Sequence, residues 1–240
     1  MIIGGHTHIG RVRTRNEDAI GWDDVAGVAV IADGMGGHPA GDVASRLAVA
    51  TALKTAREQH LDNRTWLAAG GDPEQLIYSI HQAILAQAEH EPRCAGMGTT
   101  LVFAATDERR VVIAHVGDSR AYRLHQGQLS RLTRDHNLAQ EALEQAWITP
   151  EQARCAPQRH RLTQALGIGT IKPDVMRLER IRGDLIILCT DGLTGELPDS
   201  EIQQQLTSTI QGPQRIARQL VRLAVDCGGN DNVSVVVLQL

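Results

Sequence analysis

Apolar and polar positions along the chain fall into short apolar runs and longer amphipathic stretches, grouped rather than strictly alternating. Residues 25–32, Val-Ala-Gly-Val-Ala-Val-Ile-Ala, form a continuous apolar run, which predicts a strand buried on both faces. Pro39 suits the first turn of a helix. Val43, Leu47 and Ala50 follow at helical spacing, so the pattern predicts a helix to about His60. Gly70-Gly71 is a break. Asp72-Pro73 then reads as an N-cap and first helical residue, with Leu76, Ile80 and Ile84 on the inner face of a second helix. From Thr99 the period shortens, and residues 99–105, 110–116 and 121–124 predict three successive antiparallel strands with short turns. Residues 133–170 are polar, with helical pieces at 138–147 and 150–154, and end in Ala-Leu-Gly-Ile-Gly. They read either as a lid beside a site or as a surface excursion without chemistry. Strands return at 175–181 and 184–190. Two helices follow, the second with Ile216, Leu220 and Leu223 on one face, and residues 233–240 form the last strand.

Strands and helices grouped in this way predict an α+β fold of antiparallel sheets covered by helices, not a doubly wound parallel sheet. A length of 240 residues suits one large domain or two small ones, and no repeat or low-complexity linker divides the chain. We therefore read residues 1–240 as a single domain. Aromatics are only 2%, so Val, Ile, Leu and Ala must fill the core, and stacking platforms for single-stranded nucleic acid are lacking. A net charge of -4 without a Lys/Arg run argues against nucleic acid and anionic membrane as partners. Cys94, Cys155, Cys189 and Cys227 are scattered without a C-x-x-C pair, which fits a reducing compartment. The N-terminus lacks the apolar stretch of a signal peptide, and no apolar run approaches the roughly 18 residues that span a membrane. These features lead us to expect a cytoplasmic monomer without membrane insertion.

Candidate chemistry sits at the ends of the apolar runs. Asp33 closes one and opens Asp-Gly-Met-Gly-Gly-His; Asp191 closes another and opens Asp-Gly-Leu-Thr. Asp118 follows Val-Val-Ile-Ala-His-Val-Gly, and Asp231 precedes Asn-Val-Ser-Val-Val-Val-Leu. A carboxylate at the edge of a buried strand is costly unless something positive pairs with it. Four of them, beside glycines that admit close backbone, point to hard cations held by oxygen ligands. Asp33 and the Gly34 carbonyl would bind one ion together. The glycines after Asp33 also suit a phosphate-cradling loop, yet the spacing is neither a Walker A nor a dinucleotide fingerprint. Arg13-Thr14-Arg15-Asn16-Glu17-Asp18 offers a guanidinium for a phosphate and carboxylates for metal. Taken singly, Gly117-Asp118, Asp191-Gly192 and Asn230-Asp231-Asn232 each look like a turn.

Taken in order, Arg-x-x-Asn-Glu-Asp, Asp-Gly-Met-Gly-Gly-His, Gly-Thr-Thr at 98–100, Gly-Asp-Ser-Arg, Leu-Thr-x-Ala-Leu-Gly at 162–167, Cys-Thr-Asp-Gly-Leu and Asn-Asp-Asn-Val-Ser resemble the metal-dependent type 2C protein phosphatases. The resemblance spans residues 4 to 238 and is to the stand-alone bacterial form that reverses Ser/Thr kinases. It implies two packed antiparallel sheets flanked by helices on both outer faces, with a small flap at about 133–165. It also implies hydrolysis of phosphoserine and phosphothreonine by a water activated at two Mn2+ or Mg2+ ions. By motif match, Asp33 would bridge the ions, Gly34 would contact one, and Asp191 and Asp231 would ligate the other. Glu17 and Asp18 would hold metal directly or through water, and Asp118 would help hold a third ion. Arg13 would grip the phosphate, and Asn232 would support the ligands from behind. The partners implied are phosphoproteins, with a Ser/Thr kinase and its targets among them. Animal members carry a histidine, proposed as the proton donor, two residues after the bridging aspartate; Met35 stands there in this chain. A metal-bound water, His38 or His136 would replace it. A non-catalytic phosphoprotein binder and a hydrolase of small phosphoesters remain as rivals.

Overall fold

The computed structural model describes residues 1–35, 40–59, 64–207 and 212–240. Pro39, His38 and His60, which the sequence reading used, lie outside those residues. The first sheet contains β1 (Ile2–His8), β6 (Arg120–His125), β7 (Gln128–Arg131), β9 (Leu185–Cys189) and β10 (Val233–Gln239), in the order β1-β10-β9-β6-β7. The second contains β2 (Asp18–Asp23), β3 (Val28–Asp33), β4 (Leu101–Thr106), β5 (Arg110–Val116) and β8 (Asp174–Glu179), in the order β2-β3-β4-β5-β8. Every pairing is antiparallel. Helices α1 (Gly41–Gln59) and α2 (Pro73–His90) cover the second sheet, and α7 (Pro213–Cys227) covers the first. The expected sandwich, α+β with helices on both outer faces, is the observed one.

Three apolar layers hold it together, and β3 shows why its sequence is continuously apolar. Val28 and Val30 face the layer under α1 and α2, whereas Ala29 and Ile31 face the layer between the sheets. β10 repeats the arrangement: Val233, Val235 and Val237 meet the helices over the first sheet, and Val236 and Leu238 point between the sheets. A strand with period two and a core on each face has no polar side. Helix α1 presents Ala44, Ala48, Ala52 and Ala56, small residues four apart that are buried against the second sheet. Two of the six aromatics lie there too, Trp66 meeting Phe103 edge to face at 5.3 Å. As expected, Asp72 caps α2, accepting from the Glu74 and Gln75 amides, with Pro73 in the first turn.

The structure corrects several expectations. Strands β1, β2 and β7 carry too many glycine, histidine or polar residues to stand out, and the sequence reading missed them. Residues 24–27 turn rather than extend, and Val25 is exposed. The three strands from Thr99 are not one meander. β4 pairs with β5, but β6 leaves for the other sheet and pairs with β7 and β9. Gly117-Asp118 is therefore a crossover between sheets, not a hairpin turn. Asp191 is not in a turn either: it opens a short helix, α5 (Asp191–Glu196), and three helices follow β9, with α6 (Asp199–Thr207) between α5 and α7. The flap holds α3 (Leu138–Glu144) and α4 (Pro150–Cys155).

Helix α7 sits unusually close to β1. A Cβ on Gly4 would lie 2.3 Å from the Gln214 backbone nitrogen. The Gln214 side chain then bonds the Gly5 backbone on both sides, accepting from its N–H at 3.3 Å and donating to its carbonyl at 2.8 Å. Because backbone meets backbone, Gly4→Ala must push α7 outward. We expect it to lower stability by about 2 kcal/mol, read as a lower urea midpoint with an unchanged slope.

Candidate metal centre

The centre lies where the two sheets end together. In the β2–β3 register Asp18 stands directly opposite Asp33. Asp33 is the last residue of its strand, and two threonines fix its backbone. Its N–H donates to Thr100 Oγ1 at 3.0 Å, and its carbonyl accepts from the Thr100 N–H at 2.9 Å and from Thr99 Oγ1 at 2.8 Å. The next residue must be glycine, since a Cβ on Gly34 would fall 2.2 Å from the Gly41 carbonyl oxygen. That contact draws the start of α1 over the turn. Ser45 of α1 donates to the Glu17 carbonyl at 2.5 Å, and the Gly34 N–H donates to the same oxygen.

The first sheet supplies the other half. Asp191 opens α5, and Gly192 lies so near Asn232 that a Cβ would sit 1.9 Å from its carbonyl oxygen. The Asn232 side chain accepts from the Glu17 N–H at 2.8 Å and donates to the Ile9 and Arg15 carbonyls. It thereby ties the loop bearing Arg13 and Glu17 to the head of β10. Asp118 sits on the crossover, after Gly117 in the left-handed region (φ 103). Ser119 bonds Thr100 Oγ1 at 2.7 Å, joining that crossover to the strand end that holds Asp33.

Asp33, Asp118, Asp191 and Asp231 share a cleft of about 640 Å3 with Arg13 and Glu17. Arg13 Nη2 donates to Asp231 Oδ2 at 2.7 Å. Asp18 is behind the wall rather than in it. Its Oδ2 accepts from Thr190 Oγ1 (2.9 Å) and Ser234 Oγ (2.6 Å), while its Oδ1 is buried without a hydrogen-bond partner. Burial pushes Asp18 up to about 7, the hydroxyl bonds opposing and the Asp191 and Asp231 charges adding to it. Burial first, and then the crowding of like charges, holds Asp33 and Asp118 well above the usual carboxylate range and raises Asp191. Glu17 is raised by burial and then by Asp42.

Such a cluster lacks positive charge: the guanidinium groups of Arg13 and Arg15 face five carboxylates, Glu17, Asp33, Asp118, Asp191 and Asp231, in the cleft. An all-oxygen donor set, a buried carboxylate oxygen without a partner and raised carboxyl groups all suit hard divalent cations. The residues therefore fit the Mn2+ or Mg2+ ions that the resemblance implies.

Of the residues marked by the sequence, Arg13, Glu17, Asp33, Gly34, Asp118, Asp191, Asp231 and Asn232 line the cleft, and Asp18 backs it. Met35 also lines it. His136 is not a candidate proton donor. It is buried, its Nδ1 accepts from the Gly117 N–H, its Nε2 meets Asp174 at 3.3 Å, and its ring stacks on His115. His38 lies outside the described residues. The reading missed His160, which lines the cleft with Nδ1 3.8 Å from Asp191 Oδ2. It stands just before the Leu-Thr-x-Ala-Leu-Gly word, in a polar stretch with no spacing to mark it. The bracing hydroxyls of Thr190 and Ser234 were also missed, although both lie inside quoted words.

Raised carboxyl groups make the metal-free protein pH-sensitive. A group whose folded pKa exceeds its unfolded value keeps its proton longer when folded, so stability falls as pH rises towards the folded pKa. His115, buried and depressed to about 4, acts oppositely, and its effect is complete above about pH 6.5. We therefore expect the chelated protein to lose stability between pH 6.5 and 8, about 1 kcal/mol of it from Asp18 alone. Saturating Mn2+ should abolish that loss, because the ion takes the place of the protons. Urea denaturation at both pH values, with chelator and with Mn2+, checks this; a chelated protein equally stable at both would contradict it.

Known proteins resemble the chain in sequence and in fold. The family model described as "Protein phosphatase 2C" matches residues 5–223. The serine/threonine phosphatase stp of Listeria innocua is 37% identical over 246 aligned positions, covering 97% of this chain and 93% of that protein. The crystal structure of the Mycobacterium tuberculosis serine/threonine phosphatase PstP/Ppp superposes with a TM-score of 0.88 at 35% identity, covering 100% of this chain and 98% of that one. A structure of the PstP catalytic domain in complex with two manganese ions matches at 35% identity and a TM-score of 0.84, covering 98% of this chain and 96% of that one. The chain belongs to the protein phosphatase 2C family.

Proposed function

We propose that the protein hydrolyses phosphoserine and phosphothreonine in other proteins at a dinuclear Mn2+ or Mg2+ centre, and that residues 1–240 act as one catalytic unit. The observation that carries this reading is the convergence of Asp33, Asp191 and Asp231 with Arg13 in one cleft. Asp33, the Gly34 carbonyl, Asp191 and Asp231 would hold the two ions, with Asp33 shared between them by the family resemblance, Glu17 and Asp18 contributing directly or through water, and Asp118 helping to hold a third. When bound, the ions supply a water of lowered pKa and neutralise charge on the phosphate.

The chain's own residues do the rest. Arg13 is about half exposed while paired with Asp231. Once cations neutralise Asp231, its guanidinium is free to turn and hold two phosphate oxygens. Thr99 and Thr100 lock the Asp33 backbone, so its carboxylate need not reorganise during turnover. Asn232 keeps the Arg13 and Glu17 loop in register with Asp231. Met35 has no proton to give, and among the described residues the imidazole in the cleft wall is His160. The intact carboxylate set argues against a purely binding role. Phosphoproteins are the partners, and we propose a Ser/Thr kinase and its targets among them, in the cytoplasm. The four free cysteines support that compartment, and among the described residues no helix is long and apolar enough to cross a membrane.

The direct test is hydrolysis of a phosphothreonine peptide by metal-stripped protein, with and without Mn2+. We expect turnover only with Mn2+, insensitive to thiol blockers; folded, metal-loaded protein that stays silent would favour a binding module. Asp33→Asn should lower kcat by about a thousandfold or more and weaken Mn2+ binding in calorimetry, with folding retained, because an amide does not replace a bridging charge. Near-normal turnover there would remove the dinuclear reading. Arg13→Ala should lower kcat/KM by about a hundredfold with Mn2+ affinity preserved.

A further inference from the structure

A second cavity of about 660 Å3 opens between the flap and α5. It shares Arg13, Asp118, His160, Asp191 and Asp231 with the metal cleft, so the two form one continuous channel. A phosphoresidue reaching the metals brings its neighbours in the chain with it, and this groove offers them a path along the molecule.

The charge along the groove is uneven. The α5 side is the acidic one, its carboxylates held by neutral donors rather than by cations. Glu196 Oε1 accepts from the Asn230 N–H and side-chain amide at 3.0 and 2.8 Å, and Asp199 accepts from the Tyr122 hydroxyl at 3.1 Å. In the floor Arg120 and Arg131 share one carboxylate, Asp135, and Arg131 Nε is buried without a partner. On the flap side stand Arg154, exposed at the end of α4, and Arg159. Arg159 donates from Nε to His160 at 3.0 Å and from Nη1 to the Arg154 carbonyl. Among the described residues neither Arg154 nor Arg159 has a carboxylate within ion-pair distance. With divalent cations offsetting Asp118, Asp191 and Asp231, the groove is left with surplus positive charge on its flap side.

We propose that this groove seats the substrate chain flanking the phosphoresidue and selects an anionic side chain there, with Arg154 and Arg159 as specificity-determining residues. The proposal rests on the protein-phosphatase reading and deepens it to a substrate class: phosphoproteins with a carboxylate or a second phosphate close to the target residue. Guanidinium forks suit both groups, and a lysine in the same place would meet like charge. Because the groove is open to water, the discrimination is moderate and shrinks with salt.

The experiment measures kcat/KM of the Mn2+-loaded protein on phosphothreonine peptides that differ only in flanks: neutral, three Asp, three Lys, or a second phosphothreonine, placed on either side. On one side we expect an anionic flank to exceed the Lys flank by about five- to tenfold at low salt. Asp and second-phosphate peptides show which anion serves better. In Arg154→Glu the anion-to-Lys ratio should fall to about one or invert; taking the ratio within each protein cancels any general loss of activity. Equal kcat/KM for anionic and Lys peptides on both sides, or a ratio unchanged in Arg154→Glu, would overturn the inference while leaving the phosphatase reading intact. Turnover of p-nitrophenyl phosphate without turnover of any peptide would overturn both.

Discussion

Crowding carboxylates together out of water is among the least favourable things a fold can do, and this one does it with four of them at one end of a sandwich. Asp18, Asp33, Asp118 and Asp191 all have raised affinities for protons, with burial the largest cause and neighbouring carboxylates adding to it. Asp231 keeps Arg13 beside it. Without cations the cluster is a net cost to the folded state; with them it would be a preorganised oxygen cage. On the proposed function, binding metal and holding the fold together are parts of a single equilibrium. The braces around the cluster follow from the need to keep repelling groups close.

Those braces join the two sheets. Asp18 belongs to the second sheet, yet its hydroxyl partners, Thr190 and Ser234, stand at the end of β9 and in β10 of the first. Thr100 of the second sheet bonds Ser119 on the crossover into the first. The geometry of the centre is therefore set by how the sheets stack, and the apolar layer of Ile31, Val102, Leu188 and Val236 fixes that stacking from a distance. Close packing makes such a layer resist small shifts. Core and site are mechanically one object, although among the described residues no member of that layer lines the cleft.

The flap is attached to the same end. Asn137 caps α3 through the Gln140 N–H, and its amide offsets part of the rise that burial and neighbouring charge impose on Asp118. Arg120, two residues after Asp118, holds Asp135 at the flap's base with two hydrogen bonds. His136 grips Gly117 between them, through its ring and its backbone N–H. A segment that read either as a lid or as a surface excursion is thus anchored beside a proposed metal ligand and forms one wall of the channel leading away from it.

The sequence by itself determined a good deal. The ordered aspartate words located nearly the whole centre, because a carboxylate at a buried strand end has few purposes and glycine beside it marks close backbone. Continuous apolar runs found β3, β9 and β10, whose alternate residues enter different cores. Only the tertiary structure decided the remainder. Partner choice in a sheet depends on contacts far apart in the chain, so periodicity did not reveal that β6 changes sheets or that Gly117-Asp118 is a crossover. Strands β1 and β2 are strands because the neighbours they pair with, β10 and β3, are in place. Asp18 looked like another ligand in a charged run; the stacking of two sheets puts Thr190 and Ser234 on one of its oxygens and leaves the other bare. His160 stood in an unmarked stretch until the flap folded back over Asp191. A local pattern records which face a residue shows, whereas the company it keeps there depends on the packing of the whole chain.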